Sequence, residues 1–434
     1  MQTFNNYFKK NQIYQVLCIK PFFFLMISEF FSQLAFNLQH FVFIFLIYKV
    51  TNSNTAVSAL IISFTIPSII FSILAGVLVD RWNKKAVLFN TNIIRGLLLI
   101  PFLIPNLHFI FILINTFLIA VVTQFFLPAE SAIISLLVPR RLITPANAVF
   151  SIGIYSTIFL GYILSGPALL ILGDQKTILL LASLFFVSAI AIFFVNFTQK
   201  KKKILKESFI FGKLSKSFFS EVNEVINFIK KGKKLTKALI VITVAQSIVF
   251  TFAALGPGYV ATILNVEIEN LSWIILGPAA IGMIFGAIYI GSINKKYRNE
   301  IFISMGIVIS GIVFIFLPLG SKLASKGFVH ILNRFIPGGF LDLTILHIIV
   351  LLSFISGIAN SMVFVPSNII IQSQTTDEMR GRVFGFLNSM VASFSILPVI
   401  IAGGLADVFG ISKVITAMGI ILFFGGTAML VKNK

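Results

Sequence analysis

Charge is scarce in this sequence, and that scarcity is the first constraint on what the chain does. Only 11% of its 434 residues are Asp, Glu, Lys or Arg, whereas a soluble globular protein carries about 25%. There is too little polar side chain here to coat a water-exposed fold. Cysteine occurs once, as Cys18, which excludes a disulfide framework and any cysteine-based metal cluster. The four histidines are scattered, and no HExxH, Walker loop or GxSxG occurs. The usual metal, nucleotide and acyl-transfer sites are therefore missing. No cofactor or metal is implied, the chain does not read as an enzyme, and an ATP-driven pump would need a nucleotide-binding domain that the sequence does not show.

What fills the sequence instead is hydrocarbon. Hydrophobic residues make up 58%, Phe alone accounts for 49 positions, and the mean hydropathy is +1.01. Apolar runs of about 20 residues match the roughly 30 Å core of a bilayer at 1.5 Å rise per residue. Runs this long must be helices, because backbone groups in hydrocarbon have to be satisfied within the segment. Six are expected in the first half, over Pro21–Tyr48, Ala56–Val79, Ala86–Ile104, His108–Leu127, Asn147–Leu172 and Thr177–Phe197. Six more are expected over Ala238–Leu264, Leu271–Ile293, Ile301–Leu319, Leu343–Ile371, Val383–Ala406 and Ser412–Val431. The polar, basic stretch Met1–Lys20 does not resemble a cleavable signal, so the first run is expected to stay as a span.

The net charge of +20 suggests nucleic acid until its distribution is read. With twelve spans and both ends on one side, 27 Lys and Arg lie on the side of the termini, six on the other, and Arg95 lies inside a span. Translocated loops are poor in basic residues, so both termini are expected in the cytoplasm, at an inner membrane. Twelve of those charges fall in Lys200–Lys237, where attraction to anionic lipid headgroups is the plain reading. Within it Phe218, Val222, Val225, Ile226 and Ile229 recur at helical spacing, the pattern of an amphipathic helix lying on the cytoplasmic face. The expected organisation is a cytoplasmic N-terminal segment 1–20, a six-helix bundle 21–198, a basic linker 199–237, a second six-helix bundle 238–431 and a cytoplasmic C-terminus 432–434.

The halves resemble one another. Phe126-Leu127-Pro128-Ala129-Glu130 closes the fourth span and Phe364-Val365-Pro366-Ser367-Asn368 the tenth; Asn83-Lys84-Lys85 follows the second and Asn294-Lys295-Lys296 the eighth. Repeated halves with a site between them near the midplane are how many secondary transporters achieve alternating access.

The loop after the second span reads Gly76-Val77-Leu78-Val79-Asp80-Arg81-Trp82-Asn83-Lys84-Lys85. It resembles the G-x-x-x-D-R-x-x-[KR]-[KR] signature of the major facilitator superfamily, and in the position that signature occupies. Arg95, the proline-containing end of span 4 and Asp377-Glu378-Met379-Arg380-Gly381-Arg382 are similar to the macrolide-efflux-like branch of its drug:proton antiporters. The resemblance implies an all-α membrane protein of two pseudo-symmetric six-helix bundles, with the loop as a cytoplasmic latch. Physically, Gly76 permits close helix approach, Asp80 suits a neighbouring helix start, and Arg81, Lys84 and Lys85 would hold the turn at the headgroups. A topology-fixing basic turn remains the alternative. The second-half loop lacks the Asp-Arg pair. Gly161, Gly166 and Pro167 partly resemble the glycine-rich, Gly-Pro-ending antiporter motif, with a bend or simple helix packing as the two readings. Gly282 and Gly286 form a GxxxG pair, read as helix contact.

Charges inside spans are costly and mark candidate sites. Glu29 and Arg95 are the two deep ones, both about 12–14 Å from the side of the termini at 1.5 Å per residue. Either Glu29 takes up protons or recognises a cation, or the two form a structural ion pair, or Glu29 sits in a hydrated vestibule. Ser28, Gln33, Asn37 and His40 extend a polar stripe from Glu29. Gln124, Tyr155, Gln246 and Asn360 are further candidate cavity contacts. Proton-coupled efflux of a lipophilic or cationic small molecule fits one carboxylate among many rings. An importer, a lipid- or siderophore-moving facilitator, and a polytopic protein that transports nothing stay open. The expected partners are the substrate, protons and the bilayer, with no nucleic acid and no second copy.

Overall fold

The computed structural model describes residues 12–104, 107–196, 223–292, 299–323 and 345–433. Every described element is helical. The membrane helices are α1 (Lys20–Thr51), α2 (Asn54–Arg81), α3 (Lys84–Leu99), α4 (Phe109–Leu137), α5 (143–172), α6 (174–193), α7 (Lys233–Tyr259), α8 (Gly277–Ser292), α9 (Asn299–Leu323), α10 (Ile345–Ser373), α11 (Asp377–Phe409) and α12 (Ile411–Asn433). By length and apolarity alone eleven stretches qualify as spans, because Arg140–Phe193 is one continuous stretch of 54 residues. At 1.5 Å per residue that is about 80 Å, far more than a bilayer holds. Gly173 resolves the discrepancy. Its φ of 75° and ψ of 172° are non-helical, a conformation open to glycine and strained for other residues. Thr177 Oγ1 donates to the carbonyls of Gly173 and Ala168 across the reversal. The stretch is a hairpin, which makes twelve helices of membrane-spanning type among the described residues.

Helix ends follow local chemistry. Asn83 caps α3 by accepting from the Ala86 N–H, and Pro101 turns the end of α3 into a 3₁₀ segment, Ile100–Leu103. α5 keeps helical dihedrals through Pro167, so the reversal lies at Gly173 rather than at the Gly-Pro pair. α7 ends in a π-turn over Val260–Leu264 that stops at Asn265, at φ 54°.

The chain divides into two compact units, Met1–Val50 with Ile62–Ser208 and Thr51–Ile61 with Phe209–Lys434. In the first, α3 packs on α4 and on the α5–α6 hairpin. A cluster including Phe22, Leu25, Leu88, Phe126, Ile133 and Ile192 fills the end nearer the N-terminus. In the second, α8 lies on α10 and α9 on α10 and α12. Glycines set these approaches, as bilayers demand. A Cβ at Gly282 would strike the Phe354 carbonyl, one at Gly286 the Ser361 hydroxyl, and one at Gly357 the Ala279 carbonyl. Gly282→Ala is expected to destabilise the protein by about 1–3 kcal/mol, the cost of overpacking a tight contact, seen as a lowered thermal-unfolding midpoint in detergent.

The linker corrects an expectation. Residues 223–231 are helical, but Val225 and Ile229 are buried with Leu235, Met379 and Val383 rather than turned toward headgroups. Glu224 pairs with Arg382 at 2.9 Å. This part of the linker docks on the ends of α7 and α11. Phe218, Val222 and Asn294-Lys295-Lys296 lie outside the described residues.

Candidate functional site

A polar cluster crosses the interior of the first unit where α1, α3 and α6 meet. It begins with residues too small to disturb a span: Ser28 and Ser32 on α1, Asn92 on α3 and Ser188 on α6, all buried. The Ser28 and Ser188 hydroxyls are 2.8 Å apart, and Ser188 also donates to the Ser28 carbonyl. Asn92 Nδ2 donates to Ser188 Oγ at 2.9 Å, while its Oδ1 accepts from Ser32 Oγ and, at 2.6 Å, from Arg95 Nη2.

Arg95 is held on all sides. Nη2 also donates to Ser32 Oγ at 3.0 Å. Its guanidinium lies 4.3 Å from the centroid of Phe126 and 4.7 Å from that of Phe185. Such desolvated cation–π contacts are worth about 2 kcal/mol each, and a hydrogen bond to a charged group about 1.5–3 kcal/mol. The neutral partners and rings, rather than a carboxylate, accommodate this charge.

Glu29 is 1% exposed, and among the described residues neither carboxylate oxygen has a hydrogen-bond partner. The Gln33 side chain, one turn along α1, acts on it as a weak hydrogen-bond donor outside direct bonding geometry, and Arg95 acts on it through its charge. The expected ion pair of Glu29 with Arg95 is therefore not formed; the guanidinium is taken by Ser32 and Asn92 instead. On a helical wheel Ser28 and Ser32 lie about 60–100° to one side of Glu29. The carboxylate thus stands at the edge of the cluster.

The polar stripe on α1 is less continuous than its spacing suggests. Asn37 turns its amide back to the Gln33 carbonyl at 2.8 Å, and its backbone is abutted by α5 at Gly161. His40 is enclosed between the rings of Phe36 and Phe64, at 4.3 and 4.5 Å. Gln124 bonds to the Ala120 carbonyl of its own helix. Asn37 and Gln124 are thus bonded within their own helices, and His40 is flanked by rings. Gln246 and Asn360 belong to the second unit and are half-buried. The side chain of Tyr155 lies outside the described residues, as do those of Asp80, Asp377, Arg380 and Gly381. Gly166 and Pro167 are buried in α5.

The loop after α2 is built differently from the expectation. Among the described residues a Cβ on Gly76 would meet nothing within 4 Å. Lys84 is buried and donates to the carbonyls of Val79 and Trp82, at 2.8 and 3.2 Å. Lys85 donates to the Phe193 carbonyl at 2.7 Å and sits over its ring. Cations at the carbonyl-rich C-termini of helices complement the helix dipole. These two lysines therefore tie the ends of α2 and α6 to the start of α3 instead of reaching for headgroups. Arg81 is exposed.

Ser32, Asn92, Ser188 and the two rings around Arg95 were not singled out by sequence. The available signal was Asn92, three residues before Arg95 and on the same helical face.

Apolar membrane helices that bury a carboxylate without a direct bond and a guanidinium held between two rings form the frame of a membrane transporter. The Major Facilitator Superfamily model matches residues 25–341, and the chain belongs to that superfamily. It is 23% identical over 391 residues to the uncharacterized MFS-type transporter YfiS of Bacillus subtilis (strain 168), covering 89% of this chain and 87% of that one. To YfmI, another such transporter of the same organism, it is 24% identical over 441 residues, covering 96% and 98%. Among solved structures, the nucleoside transporter NupG superposes with a TM-score of 0.68 at 14% identity over 94% of this chain and 98% of that one. A bacterial homologue of the human lysosomal transporter Spinster, inward-facing and occupied, gives 0.69 at 11% over 94% and 95%. The chain is thus a multi-pass membrane transporter that binds small-molecule substrates within the membrane.

Proposed function

We propose that this transporter exports a lipophilic or cationic small molecule in exchange for protons, as a member of the macrolide-efflux-like branch. It would act as a monomer in the cytoplasmic membrane, with both termini inside and residues 21–198 and 238–431 as the alternating halves. Glu29 carries this reading. A buried carboxylate with no direct hydrogen bond among the described residues costs several kcal/mol in a membrane interior, and either a proton or a transported cation removes that cost. Because one group accepts either occupant, their exchange couples the two fluxes. The two lysine caps support a rigid turn after α2, on which Asp80 and Arg81 serve as the moving latch.

The test is transport into inverted membrane vesicles containing the protein, with ethidium and a macrolide as probes. Both are expected to accumulate when the vesicle lumen is acidified and to leak out when nigericin collapses the gradient. Accumulation indifferent to the gradient would remove proton coupling. Movement only into right-side-out vesicles would make the protein an importer.

A further inference from the structure

We propose that Asp407, at the C-terminal end of α11, is a gate residue: it clasps the N-terminus of α2 and has to let go each time the site opens to the face opposite the termini. The carboxylate accepts five hydrogen bonds from three successive residues. Oδ1 takes the Asn54 N–H at 2.9 Å and Asn54 Nδ2 at 2.8 Å. Oδ2 takes Ser53 Oγ at 2.7 Å, the Thr55 N–H at 2.9 Å and Thr55 Oγ1 at 2.7 Å. A helix start leaves four N–H groups without intrahelical partners, and a carboxylate there also complements the dipole. Ser53 itself caps only the Ala56 N–H. A residue more than 350 positions away does the rest of the capping.

The surrounding packing is equally close. A Cβ on Gly403, one turn before Asp407, would strike the Ser58 hydroxyl and the Asn54 carbonyl, and one on Gly258 would strike Asn54 Oδ1. Ser58 Oγ donates across to the Val399 carbonyl at 2.9 Å. Consequently Thr51–Ile61 groups with the second compact unit although the rest of α2 groups with the first. One helix spans both, and its first two turns are bound by Asp407 and Gly403. The sequence places the same spacing, Gly403-x-x-x-Asp407, at the end of α11 as Gly76-x-x-x-Asp80 at the end of α2. Twelve alternating spans put these two ends on opposite membrane faces.

A clasp made only of hydrogen bonds to water-accessible groups suits a gate. Asp407 is exposed, so water can replace each bond as it breaks. The test needs neither substrate nor gradient, and so fails separately from the efflux reading. Ser58→Cys, buried under the clasp, is introduced into a Cys18→Ser background in intact cells and titrated with a membrane-impermeant maleimide. With Asp407 present labelling is expected to be slow; with Asp407→Asn or Asp407→Ala it should be at least fivefold faster. Because those variants act on one side only, Ser53→Ala/Thr55→Val loosens the clasp from α2 while keeping Asp407, and should accelerate labelling in the same direction. If monodisperse protein shows rates within twofold of the parent in both sets, Asp407 is not a gate. Faster labelling accompanied by loss of the monodisperse peak in every variant would make it a fold-stabilising cap and equally overturn the proposal.

Discussion

Glu29→Gln is expected to abolish acid-driven accumulation of the probes in inverted vesicles while leaving expression intact and thermal stability unchanged or raised. The separation of these readouts follows from the site. The carboxylate is buried and unbonded among the described residues, so the amide removes no contact that supports the fold. It does remove the only chemistry by which this position binds and releases a proton or pairs with a cation. A positioned acid or base is typically worth 10²–10⁴ in rate, and an exchanger without its shared site has no coupled cycle at all. Gradient-driven uptake should therefore fall to that of vesicles lacking the protein, whereas downhill leak of a neutral probe persists. A Glu29→Gln protein that still concentrates probe against its gradient would take Glu29 out of the mechanism. A matched fall in stability would place the defect in folding instead.

The spans were legible because their cause is one-dimensional. Some twenty consecutive apolar residues have a single stable form in a bilayer, and even the α5–α6 hairpin, continuous by hydropathy, is divided by Gly173 where the sequence broke it. The superfamily was legible for a similar reason, since Gly76 through Lys85 are ten consecutive residues where α2 turns into α3. What was not legible depends on which side chain meets which. Lys84 and Lys85 read as headgroup anchors because a basic residue at a span end usually is one. That they turn back to the carbonyls of Val79, Trp82 and Phe193 depends on where α2 and α6 end in space. Asp407 lies just beyond the expected span end at Ala406 and was not singled out, because its five donors lie more than 350 residues away. Ser32, Asn92 and Ser188 are neutral and small, and such residues occur in many spans without meeting. Val225 and Ile229 had the right periodicity, but an amphipathic pattern does not say whether lipid or protein covers its apolar face.

Arg95 yields the second large effect, and its direction reverses the usual ranking of substitutions. Lysine preserves the charge, but an ammonium cannot stack as a plane between Phe126 and Phe185, has no counterpart of the Nε that donates to the Thr91 carbonyl, and on a shorter stem must reach the place of Nη2 to bond Ser32 and Asn92. The contacts at risk are three hydrogen bonds from the charged group, to Ser32, Asn92 and, more weakly, the Thr91 carbonyl, about 1.5–3 kcal/mol for each close one, and two cation–π contacts of about 2 kcal/mol each. A buried lysine would recover only part of these while still bearing the several kcal/mol of desolvation. Methionine loses the same contacts but carries no charge to desolvate, and Ser32, Asn92 and Ser188 keep the hydrogen bonds they make among themselves. Arg95→Lys is therefore expected to destabilise the protein by about 2–4 kcal/mol and Arg95→Met by less, read as the order of thermal-unfolding midpoints in detergent. Equal or reversed midpoints would mean that the rings and the hydrogen bonds of the guanidinium contribute little. Transport then separates structure from chemistry. A stable Arg95→Met protein that still exchanges protons for probe assigns Arg95 to packing. If it is stable and silent, the guanidinium acts on Glu29 through its field, across a gap that no direct bond closes.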